Sequence, residues 1–95
     1  MKRILTLRVK GEYWHQVNRG EKLEEYRLQN DYWTKLLCGK VYDEIHYIWG
    51  YPKNGTQDAK DKTLVYPWRG FSEKTMTHKQ FGPLPADVYA IRLEA

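Results

Sequence analysis

The stretch GEKLEEYR, residues 20–27, places three charged side chains in the spacing G-x-K-x-x-E-x-R directly after a predicted helix. A strand over residues 23–28 puts Glu25 and Arg27 on one face, about 7 Å apart along the chain, with Leu23 on the same face. Lys22 lies at the junction between helix and strand, and its flexible stem reaches that face. An ammonium, a carboxylate and a guanidinium in one cleft suit an anionic or base-like ligand. We therefore predict a ligand cleft built on Lys22, Glu25 and Arg27.

The length and composition of the chain limit the functions to consider. A chain of 95 residues is expected to form one domain, residues 1–95. It carries 16 basic and 12 acidic residues, and the net charge of +4 favours a polyanionic partner without requiring one. Eight Tyr, four Trp and two Phe provide flat rings that either fill a small core or stack on bases.

Cysteine and histidine usage predicts the compartment and excludes some chemistry. The single cysteine, Cys38, cannot form an intrachain disulfide, which fits a reducing cytosol. His46 and His78 lack the spacing of metal ligands, so we expect no metal and no cofactor.

The chain has no apolar run of membrane-spanning length and no signal-peptide core, so we expect a cytoplasmic location and no membrane partner. The oligomeric state is not predicted.

Hydrophobic periodicity predicts the order of the elements. Alternating residues indicate strands, and apolar residues three to four apart indicate helices. Strands are predicted over residues 4–9, 23–28, 41–49, 63–68, 75–79 and 88–93, and helices over 11–19 and 31–37. Residues 50–62 contain Pro, Asn-Gly and charges but no apolar pattern, which predicts a surface loop. The fold class is therefore α+β, a small β-barrel of about five or six strands with one main helix and a second short helix.

The motif residues Gly20, Lys22, Glu25 and Arg27 resemble those of the ASCH domain, a member of the PUA-like superfamily of small β-barrels. The runs YPWRGF (residues 66–71) and VYAI (residues 88–91), with the Thr77-His78 pair, are similar to compact ASCH proteins carried by phages and prophages. The resemblance covers essentially the whole chain. It implies a PUA-like barrel that binds RNA in a cleft beside the motif.

The resemblance also leaves an enzyme open as an alternative. One subgroup of small ASCH proteins hydrolyses 4-acetylcytidine and carries a Thr three residues after the motif Lys, whereas this chain has Glu25 there. A carboxylate does not simply replace a hydroxyl nucleophile in acyl transfer. Other ASCH proteins are reported to cleave RNA. An amidohydrolase or ribonuclease with Lys22 and Glu25 as its acid-base pair therefore stands beside the binding module, and a host-interaction protein without a ligand is a third class.

For the binding module, which is the preferred interpretation, the expected partner is RNA, another single-stranded nucleic acid, or a nucleoside or nucleotide. In such a cleft, Lys22 and Arg27 contact phosphate or base acceptors, and Glu25 accepts from a base amino group or orients Arg27. Rings and a rim arginine are expected to complete the site: Tyr51, Tyr66, Trp68 and Arg69. The alternatives are a purely structural Glu25–Arg27 ion pair, rings that only fill the core, and an exposed turn arginine.

The loop over residues 50–62 is a candidate lid. It carries Lys53, Lys60 and Lys62 and connects strands whose ends bear aromatic residues. If the cleft lies beside those rings, the loop is placed to close over a bound ligand. The alternative is a tolerated surface insertion.

Overall fold

The computed structural model describes residues 1–94 and contains six strands, three α-helices and one 3-10 helix within them. In chain order the elements are β1 Ile4–Val9, α1 Gly11–Asn18, β2 Glu24–Leu28, α2 Asp31–Leu37, β3 Glu44–Trp49, α3 Gln57–Asp61, β4 Thr63–Pro67, β5 Phe71–Met76, the 3-10 helix Lys79–Phe81 and β6 Ala86–Arg92. The α+β class and the number of strands are confirmed. None of the helices formed by these residues is long and apolar enough to cross a membrane.

The strands pair into two three-stranded sheets. In the first sheet β3 is central, parallel to β1 and antiparallel to β4. In the second sheet β6 is central and antiparallel to both β2 and β5. Across residues 1–94 these sheets do not close into a barrel, so the predicted closed barrel is not found. Hydrophobic alternation indicates which residues form strands, but it does not encode which strands become partners.

The hydrophobic core lies between the inner faces of the two sheets and the first two helices. Alternate residues of β1 and of the last strand are buried, with Leu7 and Ile91 fully enclosed. α1 and α2 close the core with Trp14, Val17 and Leu37. Val88 and Ala90, on the other face of β6, are buried as well.

The largest differences from the sequence prediction concern three segments. Residues 50–62 are not wholly irregular, because the Thr56 side chain caps α3 by accepting the Ala59 N–H at 3.2 Å. The third strand begins at Glu44 and not at residue 41, and just before it the Asp43 carboxylate accepts the Arg3 N–H at 2.7 Å. The strand predicted over residues 75–79 lies earlier, over Phe71–Met76, and the helices number three in place of two.

Gly11 positions the first helix against the end of β3. A Cβ atom at residue 11 would lie 2.8 Å from Nε1 of the Trp49 indole, which is closer than packed atoms approach. Trp49 also lies against Trp14 and His15, with ring centroids 5.6 and 4.8 Å apart. A side chain at this position would therefore force the Trp49 ring to shift.

Candidate functional site

The motif side chains meet on one side of β2, as their spacing predicts. Glu25 and Arg27 lie two residues apart in the strand, and Arg27 Nη2 is 2.8 Å from Glu25 Oε2. Lys22, just before the strand, reaches back so that its Nζ lies 3.3 Å from Glu25 Oε1. One carboxylate is thus held between two cations.

Glu25 is a buried carboxylate with a third partner that the motif does not contain. Its exposed fraction is 2%, and the Tyr47 hydroxyl on β3 donates to Glu25 Oε1 at 3.0 Å. Burial, reinforced by the negative charge of Glu25, raises the pKa of Tyr47 far above its ordinary value, so the phenol keeps its proton. A carboxylate removed from water needs such donors, because an unpaired buried charge is very costly.

Lys22 is enclosed by aromatic rings as well as by Glu25. Its Nζ lies 4.6 Å from the centre of the Tyr13 ring and 5.2 Å from that of Tyr26, both within cation–π range. Only 11% of its side chain is exposed. An ammonium in these contacts donates hydrogen bonds and has no lone pair with which to accept a proton. The geometry therefore makes Lys22 a support for Glu25.

Two clefts share Arg8 and Arg27, which we call the arginine pair. The charged cleft has a volume of about 470 Å³ and is lined, besides the arginine pair, by the charged residues Lys10, Glu12, Glu25 and Lys79. The aromatic cleft has a volume of about 440 Å³ and is lined, besides the pair, by Thr6, Tyr32, Trp33 and Tyr51. Four basic and two acidic side chains leave the charged cleft with an excess of positive charge, and the aromatic cleft has no acidic lining residue among residues 1–94.

The arginine pair is held in place by backbone carbonyls and rings. Arg27 Nη2 donates to the Arg8 carbonyl at 3.0 Å, and its guanidinium lies 4.9 Å from the centre of the Trp33 ring. Arg8 Nη1 donates to the Gly50 carbonyl at 3.2 Å, and its guanidinium lies 4.9 Å from the centre of the Tyr51 ring. Glu25 balances the charge of Arg27, whereas Arg8 forms no ion pair with any carboxylate in residues 1–94. Its positive charge is available to an anion between the two clefts.

The other sequence-predicted residues lie in different places. Tyr51 lines the aromatic cleft and is highly exposed. Tyr66 and Trp68 are half-buried and pack against the core, with Trp68 edge-to-face on Tyr42 at 5.1 Å. Arg69 is exposed just before β5. The structure brings Lys22, Glu25 and Arg27 into contact, and it places Arg27 and Tyr51 in the lining of the aromatic cleft. The linings of the two clefts do not include Lys22, Tyr66, Trp68 or Arg69.

Sequence reasoning missed Arg8, Tyr32 and Trp33 as lining residues. Arg8 stands in the outward phase of β1, where an arginine is ordinarily solvated. The parallel register that sets Val9 opposite Trp49 brings Gly50 and Tyr51 to Arg8, and no local pattern announces that pairing. The spacing of the apolar residues in the helix over 31–37 predicts that Tyr32 faces inward, which is wrong, because 64% of it is exposed.

The segment 50–62 contacts the site only through its beginning. Gly50 and Tyr51 hold Arg8, while Lys62 lies 5.1 Å from the centre of the Trp49 ring and 3.3 Å from the Asp58 carboxylate. Lys60 lines a separate hollow beside α3. The three lysines of the segment do not line either cleft, and a closing movement stays a prediction.

Within residues 1–94, no three or more His, Cys, Asp or Glu side chains are grouped so that they could hold a metal ion. Comparisons of the chain with protein-family models, with curated proteins and with solved structures found no match. The geometry of the two clefts is therefore the basis for assigning a function.

Proposed function

We propose that this protein is a small module that binds single-stranded nucleic acid or nucleotides, with RNA as the expected ligand. The proposal depends on one observation: the Arg8 side chain lines both clefts and forms no ion pair with a carboxylate in residues 1–94. An oriented, uncompensated guanidinium is the group that proteins use to bind phosphate. We therefore assign the phosphate to Arg8, with Arg27 beside it.

The surroundings of Arg8 support a nucleotide over a simple anion. The arginine pair is flanked on one side by rings that are open to stacking and on the other by polar groups that can reach base edges. Unpaired bases are recognised by stacking on aromatic rings and on guanidinium planes together with hydrogen bonds to their edges. The proposal includes membership of the ASCH domain and a PUA-like architecture, supported by the motif and by six strands in an α+β fold.

Binding is preferred over hydrolysis because of the contacts that the motif makes. Lys22 is engaged by Glu25 and two tyrosine rings, and Glu25 Oε1 accepts from both Lys22 and Tyr47. A general base must be within reach of the proton that it removes, and Lys22 does not line either cleft. These contacts give the Lys22–Glu25 pair a structural task in supporting Arg27.

The proposal is tested by fluorescence anisotropy with a labelled single-stranded RNA decamer at several salt concentrations. We expect Arg8→Gln to weaken binding at least tenfold and to reduce the slope of log K against log salt by about 1. Arg3→Gln is the matched control, because Arg3 lies at the other end of β1 and also faces a tyrosine ring, 5.7 Å from the centre of Tyr42. It should bind as the wild type does.

Two outcomes would overturn the proposal. One is the absence of binding to RNA, single-stranded DNA and nucleotides at low salt. The other is an equal loss of affinity in Arg8→Gln and Arg3→Gln, which would indicate attraction by net charge alone. Incubation with 4-acetylcytidine and with the RNA serves as the test of the hydrolase alternative, and we expect no product.

A further inference from the structure

We infer that the site takes two consecutive nucleotides of a single strand, one base in each cleft, with the phosphate that joins them on Arg8. This inference rests on the proposed function and adds the length of the ligand that the site holds. Its starting point is that Arg8 and Arg27 line both clefts at once. A phosphate on the arginine pair therefore adjoins both clefts.

The aromatic cleft suits a base that is recognised by stacking. Tyr32 and Tyr51 are 64% and 86% exposed, although rings of this size are ordinarily more buried in a folded protein. The inner ring, Trp33, is already covered by the Arg27 guanidinium on its face and by Tyr32 at its edge, with ring centroids 5.2 Å apart. Stacking on such rings is tolerant of sequence because every base has a flat face.

The charged cleft suits a base that is recognised by its edge. Its lining offers the exposed carboxylate of Glu12 and the amide of Gln80 beside the ammonium groups of Lys10 and Lys79. Gln80 is oriented by donating to the Tyr26 carbonyl at 3.3 Å, and Lys79 by its 2.8 Å contact with Glu12. Both clefts fall in the volume range of small-molecule sites. Each is therefore large enough to be a site of its own.

The test compares adenosine 5′-monophosphate with adenylyl-adenosine, which has the same single phosphate, less negative charge and one more base. Isothermal titration calorimetry of the wild-type protein should show adenylyl-adenosine binding about tenfold more tightly, as expected for one additional stacked base. Tyr32→Ala should remove most of that gain, and Tyr32→Trp should preserve it. Tyr32 is chosen over Tyr51 because its removal leaves the ring beneath Arg8 in place.

Leu84→Ala, a change at another exposed apolar residue, is the control for the variants and should leave both affinities unchanged. Equal affinity for the two ligands in the wild type, or an undiminished gain in Tyr32→Ala, would overturn the two-nucleotide site. In that case an Arg8-dependent affinity for either ligand would leave the proposed function standing. If neither ligand nor the RNA decamer binds, the proposed function itself is overturned, and the two-nucleotide site with it.

Discussion

Replacing the buried carboxylate of Glu25 by an amide should destabilise this protein more than any change at its exposed charges. Glu25→Gln keeps the shape of the side chain and an oxygen for the Tyr47 hydroxyl, but it removes the charge between Lys22 and Arg27. The side chains of those two cations are only 11% and 19% exposed. They would be left without a counter-charge in a largely dry environment.

The size of the effect follows from these contacts. Breaking a buried ion pair by removing one partner costs about 3–5 kcal/mol. The amide oxygen still accepts one or two hydrogen bonds, each with a net value of about 1 kcal/mol. We therefore expect Glu25→Gln to lower the free energy of unfolding by about 1–4 kcal/mol, which for a domain of this length lowers the Tm by about 5–30 °C.

Thermal unfolding followed by circular dichroism measures the effect, and a double-mutant cycle with Lys22→Met isolates its cause. In wild type, Lys22→Met removes a partner of Glu25, whereas in Glu25→Gln it removes an uncompensated cation and should cost much less. Glu21→Gln, at an exposed carboxylate that pairs with Arg19, is the control and should melt close to the wild type. Additive effects of Lys22→Met and Glu25→Gln would refute the reasoning.

Three further predictions concern other contacts. Above a pH of about 10 the unfolded chain releases the Tyr47 proton while the folded protein retains it, so the free energy of unfolding falls as the pH rises. Urea unfolding of Tyr47→Phe above this pH should show that about 1.4 kcal/mol per pH unit of that slope is lost. Gly11→Ala should lower the free energy of unfolding by about 1–2 kcal/mol despite the better helix propensity of alanine, because the new methyl group meets Trp49. Lys79 holds the pKa of the Glu12 carboxyl below its ordinary value, so Lys79→Ala should raise that pKa in a carbon-detected NMR titration.

Each of these has an outcome that contradicts it. An alkaline slope that is the same in Tyr47→Phe and wild type would mean that Tyr47 ionises in the folded protein. A Gly11→Ala variant as stable as Asn18→Ala, a change at an exposed residue of the same helix, would show that Trp49 can move aside. An unchanged Glu12 pKa would mean that Lys79 does not contact it in solution.

The sequence alone determined the local elements and the charged motif. Alternation is a property of neighbouring residues, so Ile4–Val9 and Asp31–Leu37 were predicted with their observed bounds. The period of two in β2 likewise placed Glu25 and Arg27 on one side. The end of α1 was predictable as well, because Gly20 adopts the left-handed conformation that its lack of a Cβ permits.

The tertiary structure decided everything that depends on which strands pair. The parallel pairing of β1 with β3 brings Gly50 and Tyr51 to Arg8 and points the Tyr47 hydroxyl at Glu25. These contacts join residues 22 to 43 positions apart, beyond the reach of any periodicity or motif spacing. For the same reason the sequence pattern could not show that Tyr66 and Trp68 pack into the core while Tyr32 stays open to solvent, since burial depends on what the folded chain places opposite each ring.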